Sequence, residues 1–474
     1  MNRNNFWIHF CIAVLLITFA AILGQIRHIR STLLNSPTTM KSTPKPIAVK
    51  RSIDESEPEI LVKLRTGVSL AEIKKVAEKN NDQIEDKLEN VKGWISIDDL
   101  DNRDEKIVAE QYEQMTDLVA DAEPNNKIEL DPIESLAGSD SLLRASQPGE
   151  ISPNDPMFGE QWALNNVGQN GGKAKADLAA LKAWIKTQGS TDVVVAVLDS
   201  GVDYTHPDLA ANMWLRPNNV PAYKDDELGA FDDLHGFNAA ENLSDPMDDN
   251  GHGTHCAGIV GAEGNNDEGI SGINWKVQIM PLKFMGRGGF GTTKNAIEAI
   301  NYAIDRKRAG VNVKVINASW GSMLSSKALE DAIRAAGEEG ILFVAAAGNN
   351  STSNDKRPHY PSNYDLPNVI SVAALDRNDQ LASFSNFGVK TVHVAAPGRE
   401  ILSTWLNDEY REASGTSMAT PYVAGVAALI LASEPKLSLE KLRERILQSV
   451  DKLDSLNDKV KSGGRINAEK ALGN

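Results

Sequence analysis

An α/β fold is predicted, a parallel sheet flanked by helices on both faces and preceded by a small α+β unit, and two patterns in the sequence predict it. Between residues 193 and 375 the apolar runs VVVAVLD (193–199), QIMPLKF (278–284), VKVINAS (313–319), ILFVAAAG (341–348) and NVISVAAL (368–375) alternate with helical stretches such as TKNAIEAINYAIDRKRAG and KALEDAIRAAGEEG. Uninterrupted Val, Ile and Ala runs between helices are what a parallel sheet needs when neither of its faces meets water. The second pattern lies upstream, in residues 58–130, where strand and helix periods alternate over much shorter stretches.

In that upstream unit EILVKLR alternates as a strand. SLAEIKKVAEKN then puts Leu70, Ile73, Val76 and Ala77 on one helical face and stops at Asn80 and Asn81. WISID reads as a second strand and DEKIVAEQYEQMTDLVADAE as a second helix, with Ile107, Val108, Gln111, Tyr112 and Met115 on its face. NKIEL closes the unit as a strand, which predicts a split βαβ, ferredoxin-like sandwich. Residues 131–152 turn to Ser, Pro, Gly and acids, the composition of an exposed connection open to nicking, and residues 153–474 form the large domain.

The beginning of the chain reads as an address. Phe6 to Ile26, FWIHFCIAVLLITFAAILGQI, supplies about the 20 apolar residues that cross a bilayer, with Arg3 before it and Arg27, His28 and Arg30 after it. Residues 1–30 are therefore expected to direct export as a signal peptide or an uncleaved anchor, giving a secreted or extracytoplasmic membrane-anchored protein. Membrane contact is then made only through this segment. Residues 31–57, rich in Ser, Thr, Pro and Lys, are a linker. The formal net charge of −16 excludes a basic face of the kind that displaces counterions from phosphates, so no nucleic-acid partner is expected. The cysteines are Cys11, in the leader, and Cys256, so the exported part has no disulfide framework and any clamp must be of another kind.

Three glycine-flanked polar clusters stand at the ends of apolar elements. In VAVLDSGVDYTHPDL, Asp199 ends a strand and Gly201 permits a sharp exit; loops at the carboxyl ends of such strands meet in a crevice. In DDNGHGTHCAGIVGA, His252 and His255 share a helical face, which suits either zinc or a general base. A zincin helix spaces its histidines by four with a Glu between, whereas Gly253 and Thr254 intervene here. The favoured reading is His252 as base, with His255 and Cys256 packed inside. In EASGTSMATPYVAGVAALILA, Ser417 opens an apolar helix whose positive end favours negative charge, with Pro421 expected in the first turn.

Asp199, His252 and Ser417 follow one another in that order, and VLDSGVDYTHPDL, DDNGHGTHCAG and SGTSMATPYVAG resemble the three signatures of subtilisin-type serine peptidases. AAAGNN (345–350) resembles the family's oxyanion segment, and the similarity runs from about Asn154 to the closing GRINAEKAL. The resemblance implies a subtilisin-like fold and a serine endopeptidase acting on polypeptide substrates. Ser417 would be the nucleophile, His252 the base and Asp199 its orienter, with the Asn349 side chain and the Ser417 N–H as oxyanion donors. It further implies that Ser319, Trp320 and Gly321 on one side, and Ala346, Ala347 and Gly348 on the other, flank an extended peptide. RPHYPSNYD resembles the rim of the first specificity pocket, with His359 where relatives often carry small residues.

The same resemblance implies a structural calcium site at Asp155, Asp208 and Asn266. KDDELGAFDDLHG (224–236) is similar to a second calcium-binding insertion and equally to a solvated acidic loop. Residues 58–130 resemble the family's propeptides, so the chain is expected to carry its own intramolecular inhibitor and folding template, cut between Asp131 and Ser152. A dedicated maturation protease for one partner and a peptide-binding scaffold without turnover are the alternatives.

Overall fold

In the computed structural model, which describes residues 59–131, the backbone of 134–137, and residues 151–225 and 229–473, alternate residues of the strand Gly189–Asp199 face opposite layers. Val193, Val195 and Val197 pack with Cys256, Ala257, Ala419 and Tyr422, while Val194, Ala196 and Leu198 pack with Ala296, Ile297, Ala332 and Ile333. The helices His252–Gly261 and Thr416–Ser433 thus cover one face, and Thr293–Arg308 and Lys327–Glu338 the other. This is why the run is apolar at every position: no residue of it faces solvent. The leader, the linker 31–57 and most of the connection 131–152 lie outside the described residues.

The sheet has nine strands, in spatial order Phe237–Asn238, Lys276–Lys283, Gly189–Asp199, Val313–Ala318, Leu342–Ala346, Val369–Leu375, Val394–Pro397, Gly464–Ile466 and Val450–Lys452. All neighbours are parallel except the last pair. The five long strands coincide with the five apolar runs. The chain order reverses direction across the sheet beside Gly189–Asp199, where loops on either side of the strand diverge and leave a crevice at its carboxyl end. The helix Thr416–Ser433 is long and apolar enough to cross a membrane, yet 89% of that stretch is buried in the core.

Residues 59–124 form a four-stranded antiparallel sheet, in the order Asp82–Lys87, Trp94–Asp99, Glu59–Leu64, Val119–Pro124, backed by the helices Leu70–Lys79 and Glu105–Glu113. Ile60, Val62, Ile73, Ile95, Ile97, Val108 and Tyr112 make its own core. Leu61, Leu88, Val91 and Trp94, on the other side of the sheet, join the core beneath the helices Thr293–Arg308 and Lys327–Glu338. Two expectations need correction here. The second helix ends at Glu113, not near Glu123, because the residues after it leave the helix to form the strand Val119–Pro124; Ile107 is solvent-exposed. NKIEL does not close this sheet: Lys127–Glu129 pairs antiparallel with Phe290–Thr292 of the large domain.

Candidate active site

Asp199 is the last residue of its strand and Gly201, at φ +101°, turns the chain away from the sheet. Gly251, also left-handed at φ +106°, brings the chain back so that His252 is the first residue of its helix. The buried Asp248 carboxylate fixes the junction between the two loops. It accepts the N–H groups of Asn250, Gly251 and Thr254 and the hydroxyls of Ser200 and Thr254. Ser200 Oγ in turn accepts the Gly253 N–H, so both loops are held to one carboxylate. The sequence reading passed over Asp248; its place three residues before the glycine that starts an apolar helix is the signal of a cap.

The imidazole Nδ1 of His252 lies 2.8 Å from Asp199 Oδ1, both groups being buried. His252 Nε2 and Asp199 Oδ2 are buried without a hydrogen-bond partner among the described residues. Burial alone lowers the His252 pKa, but the charges of Asp199, Asp248 and Asp131 together carry it above the ordinary histidine value of 6.5. His255 has no such role: its Nε2 donates to the carbonyls of Ile401 and Arg411, and burial drives its pKa down to about 3. The two histidines therefore do not form a zinc pair. Cys256 is fully buried with its thiol pKa pushed well up by burial, as a packing residue should be.

Ser417 is the second residue of the helix Thr416–Ser433, where N–H groups have no carbonyl one turn earlier to bond. Pro421 sits in the second turn rather than the first. Having no N–H, it leaves the Ser417 carbonyl unpaired within the helix, and that carbonyl accepts Ser319 Oγ at 2.8 Å and Cys256 Sγ at 3.5 Å. Since Cys256 Sγ also lies within 4.8 Å of the Asp199 and His252 ligand atoms, the three expected residues meet at one rim of the sheet. The Ser417 hydroxyl itself, however, donates to the Ser319 carbonyl at 2.8 Å, not to His252.

Asn349 faces the same rim. Its Oδ1 accepts the N–H and hydroxyl of Thr416, each at 2.9 Å, which turns Nδ2 the other way; Nδ2 is buried without an acceptor. Ser319, Trp320 and Gly321 continue from the strand Val313–Ala318, and Ala346, Ala347 and Gly348 from Leu342–Ala346. Trp320 is a core residue whose Nε1 donates to the Leu198 carbonyl. A third edge was not foreseen: Phe290–Thr292 carries Lys127–Glu129, and the Leu130 N–H donates to the Gly289 carbonyl at 2.8 Å. Its sequence signal is the glycine-rich stretch GRGGFGTT, in which absent side chains leave backbone accessible. The backbone of Glu134–Ala137 pairs with Tyr410–Ser414.

Asp155, Asp208 and Asn266 also converge. Asp155 accepts the N–H groups of Asn265 and Asn266, and Asp208 accepts that of Ile270 and the Asn266 side-chain amide at 2.9 Å. Both carboxylates are fully buried, and neither pairs with a Lys or Arg among the described residues. Burial pushes Asp155 up to about 6 and Asp208 up to about 7, the latter with a further push from Asp155. Two buried, uncompensated carboxylates fit a hard divalent cation, with the half-buried Asn266 turning its Nδ2 toward Asp208 here and its Oδ1 toward the Glu268 N–H. In the 224–236 stretch, residues 226–228 lie outside the described residues, and Asp233 is taken by Arg216 and Arg306 at 3.0 and 3.1 Å, as a core ion pair.

Residues 190–468 match the subtilase family. A thermophilic serine proteinase of Bacillus sp. (strain AK1) is 41% identical over 290 residues, which cover 61% of this chain and 64% of that protein. Thermitase of Thermoactinomyces vulgaris is 37% identical over 322 residues, 68% of this chain and 99% of that one. Among solved structures, fervidolysin from Fervidobacterium pennivorans, described as a keratinolytic enzyme related to subtilisin, aligns with a TM-score of 0.68 at 25% identity. That alignment covers 88% of this chain and 61% of fervidolysin. The chain thus spans slightly under two-thirds of the Bacillus relative and of fervidolysin.

Proposed function

The chain belongs to the subtilase family of serine peptidases, and from that premise we propose that it is an exported serine endopeptidase, made as a zymogen, that hydrolyses peptide bonds through Asp199, His252 and Ser417. The observation that carries this reading is the 2.8 Å bond from His252 to Asp199, which leaves Nε2 without a partner among the described residues. With Nδ1–H held by the carboxylate, Nε2 is the basic nitrogen. Ser417 exchanges its bond to the Ser319 carbonyl for one to Nε2, and its oxygen attacks the scissile carbonyl carbon as the proton passes to His252. The oxyanion forms against Asn349 Nδ2 and the Ser417 N–H. His252 then gives the proton to the leaving amine, and water repeats the sequence on the acyl-enzyme.

Residues 58–130 act on this reading as propeptide and inhibitor. Support comes from the strand Lys127–Glu129 along Phe290–Thr292, which leads directly to Asp131, whose carboxylate stands 3.9 Å from His359 and in the field of His252. The maturation cut falls between Asp131 and Ser152. Calcium bound by Asp155, Asp208 and Asn266 would tie together three loops in a domain without disulfides and would not take part in the chemistry. Export rests on the apolar leader.

An organophosphorus reagent is expected to label Ser417 alone in the processed enzyme and to abolish casein hydrolysis. A Ser417→Ala chain is expected to remain uncut and inactive; casein hydrolysis by that variant would refute the reading. Retained peptide binding without labelling would instead favour a peptide-binding scaffold.

A further inference from the structure

The chain carries in its own cleft a residue that reports what the first specificity pocket accepts. Lys127–Glu129 runs antiparallel to Phe290–Thr292, with Ile128 opposite Gly291, and Leu130 donates to Gly289. The next residue, Asp131, is where this strand reaches the reacting groups: its carboxylate lies in the fields of His359 and His252. Its side chain is 16% exposed, and Asp131 Oδ2 stands 3.9 Å from His359 Nε2, whose ring is 3% exposed.

The position of the His359 ring explains why a short acid fits. The imidazole is wedged between Gly321 and Gly348, at the ends of the two segments that flank the pocket. A Cβ at position 321 would come within 2.1 Å of His359 Cε1, and one at 348 within 2.9 Å of Cδ2. The ring therefore fills the space that a large apolar substrate side chain would need and presents a nitrogen in its place. The backbone of His359 is itself fixed, its N–H bonded to Asn363 and its carbonyl accepting from Ser362 and Asn363. His359 Nδ1 is buried without a hydrogen-bond partner.

We propose that this peptidase cleaves after aspartate, with His359 as the specificity-determining residue at the base of the first pocket. The inference rests on the peptidase reading and deepens it from polypeptides to acidic sites. A larger apolar side chain in the same place would run into the His359 ring that fills the space, with no carboxylate facing its Nε2. Burial holds the His359 pKa below the ordinary histidine value and the Asp131 pKa above the ordinary carboxylate value, with the charge of each partner opposing the effect of burial on the other.

The test uses the processed enzyme and quenched peptides Lys-Ile-Glu-Leu-X-Ser-Ile, with serine replacing the proline that follows Asp131. For X = Asp, kcat/KM is expected to exceed that for Leu or Phe by about 10–100-fold, the scale of a hydrogen bond to a charged group, with Asn between them. His359→Gly is expected to invert the order toward Leu and Phe. Casein hydrolysis by the same preparation, and its loss in Ser417→Ala, tests the peptidase reading separately. If casein is cut but aspartate is no better than leucine in the unmutated enzyme, the specificity proposal falls alone; if casein is not cut at all, both fall.

Discussion

A methyl group on residue 253 would lie 2.0 Å from the Gly201 carbonyl oxygen and 3.1 Å from Asp199 Cβ. Gly253→Ala must therefore push apart the two loops that set the His252–Asp199 bond, and a displacement of that size costs about 10²-fold in turnover. Measuring kcat/KM beside Tm checks it, and an unchanged kcat/KM would show that the loops yield freely. The His252 pKa carries a second expectation. The neutral imidazole is the base, so activity is present above its pKa and lost as pH falls through it. The kcat/KM profile is expected to have its acid limb above 6.5, and Asp199→Asn to move that limb down, since it removes the main charge opposing burial. The sign for stability is opposite: a raised histidine pKa adds stability that is fully present below the unfolded value and lost as pH rises through the folded one. Asn349→Ala is expected to lower kcat by about 10²–10³-fold, a figure that comes from the corresponding loss in subtilisin itself.

At the scale of elements, the contact between the two folded parts is built on helix ends. Glu123 accepts the Lys327 and Ala328 N–H groups and the Ser326 hydroxyl at the start of one helix. Asn125 and Asn126 accept the Lys294 and Thr293 N–H groups at the start of the other. One short turn thus satisfies orphan donors on both helices, with a negative charge at a positive end. Glu123→Ala is expected to weaken inhibition by the propeptide about tenfold or more, seen as a shorter lag before activity in the processing zymogen; an unaltered lag would assign the hold to the remaining contacts, the Asn125 and Asn126 bonds and the apolar contacts of Leu61, Leu88 and Trp94 among them. The same region explains what periodicity missed. Val119–Pro124 carries no break from the preceding helix that a 3.6-residue pattern could detect, and the strand Asp82–Lys87, DQIEDK, is too polar to stand out. Both are strands because neighbours pair with them, which propensity does not encode.

For the whole molecule, stability without disulfides turns, on the proposed reading, on the loops that Asp155, Asp208 and Asn266 bring together. Chelation is expected to lower Tm by on the order of 5 °C or more, as loss of a ligand held well above its dissociation constant should, and Asp208→Asn to remove most of that difference. Because burial holds Asp155 up to about 6 and Asp208 up to about 7 without a cation, protons compete with calcium: its affinity should fall as pH drops below about 7. Calorimetry with and without chelator at pH 8 and 6 reads both, and a Tm indifferent to chelator at pH 8 would exclude a structural cation there.

Much of this protein was legible before any coordinates. The five buried strands, the helix starts at His252 and Thr416 and the order Asp199, His252, Ser417 all follow from local pattern, because continuous apolar runs and glycine-flanked polar residues are consequences of burial and turn geometry at that point in the chain. What only the tertiary structure decided is pairing between distant segments: Lys127–Glu129 on Phe290–Thr292 rather than in its own sheet, Ser417 Oγ on the Ser319 carbonyl, and His359 between Gly321 and Gly348 facing Asp131. None of these has a period or a spacing to betray it. Each is a choice among partners that become available only once the sheet has brought its loops together.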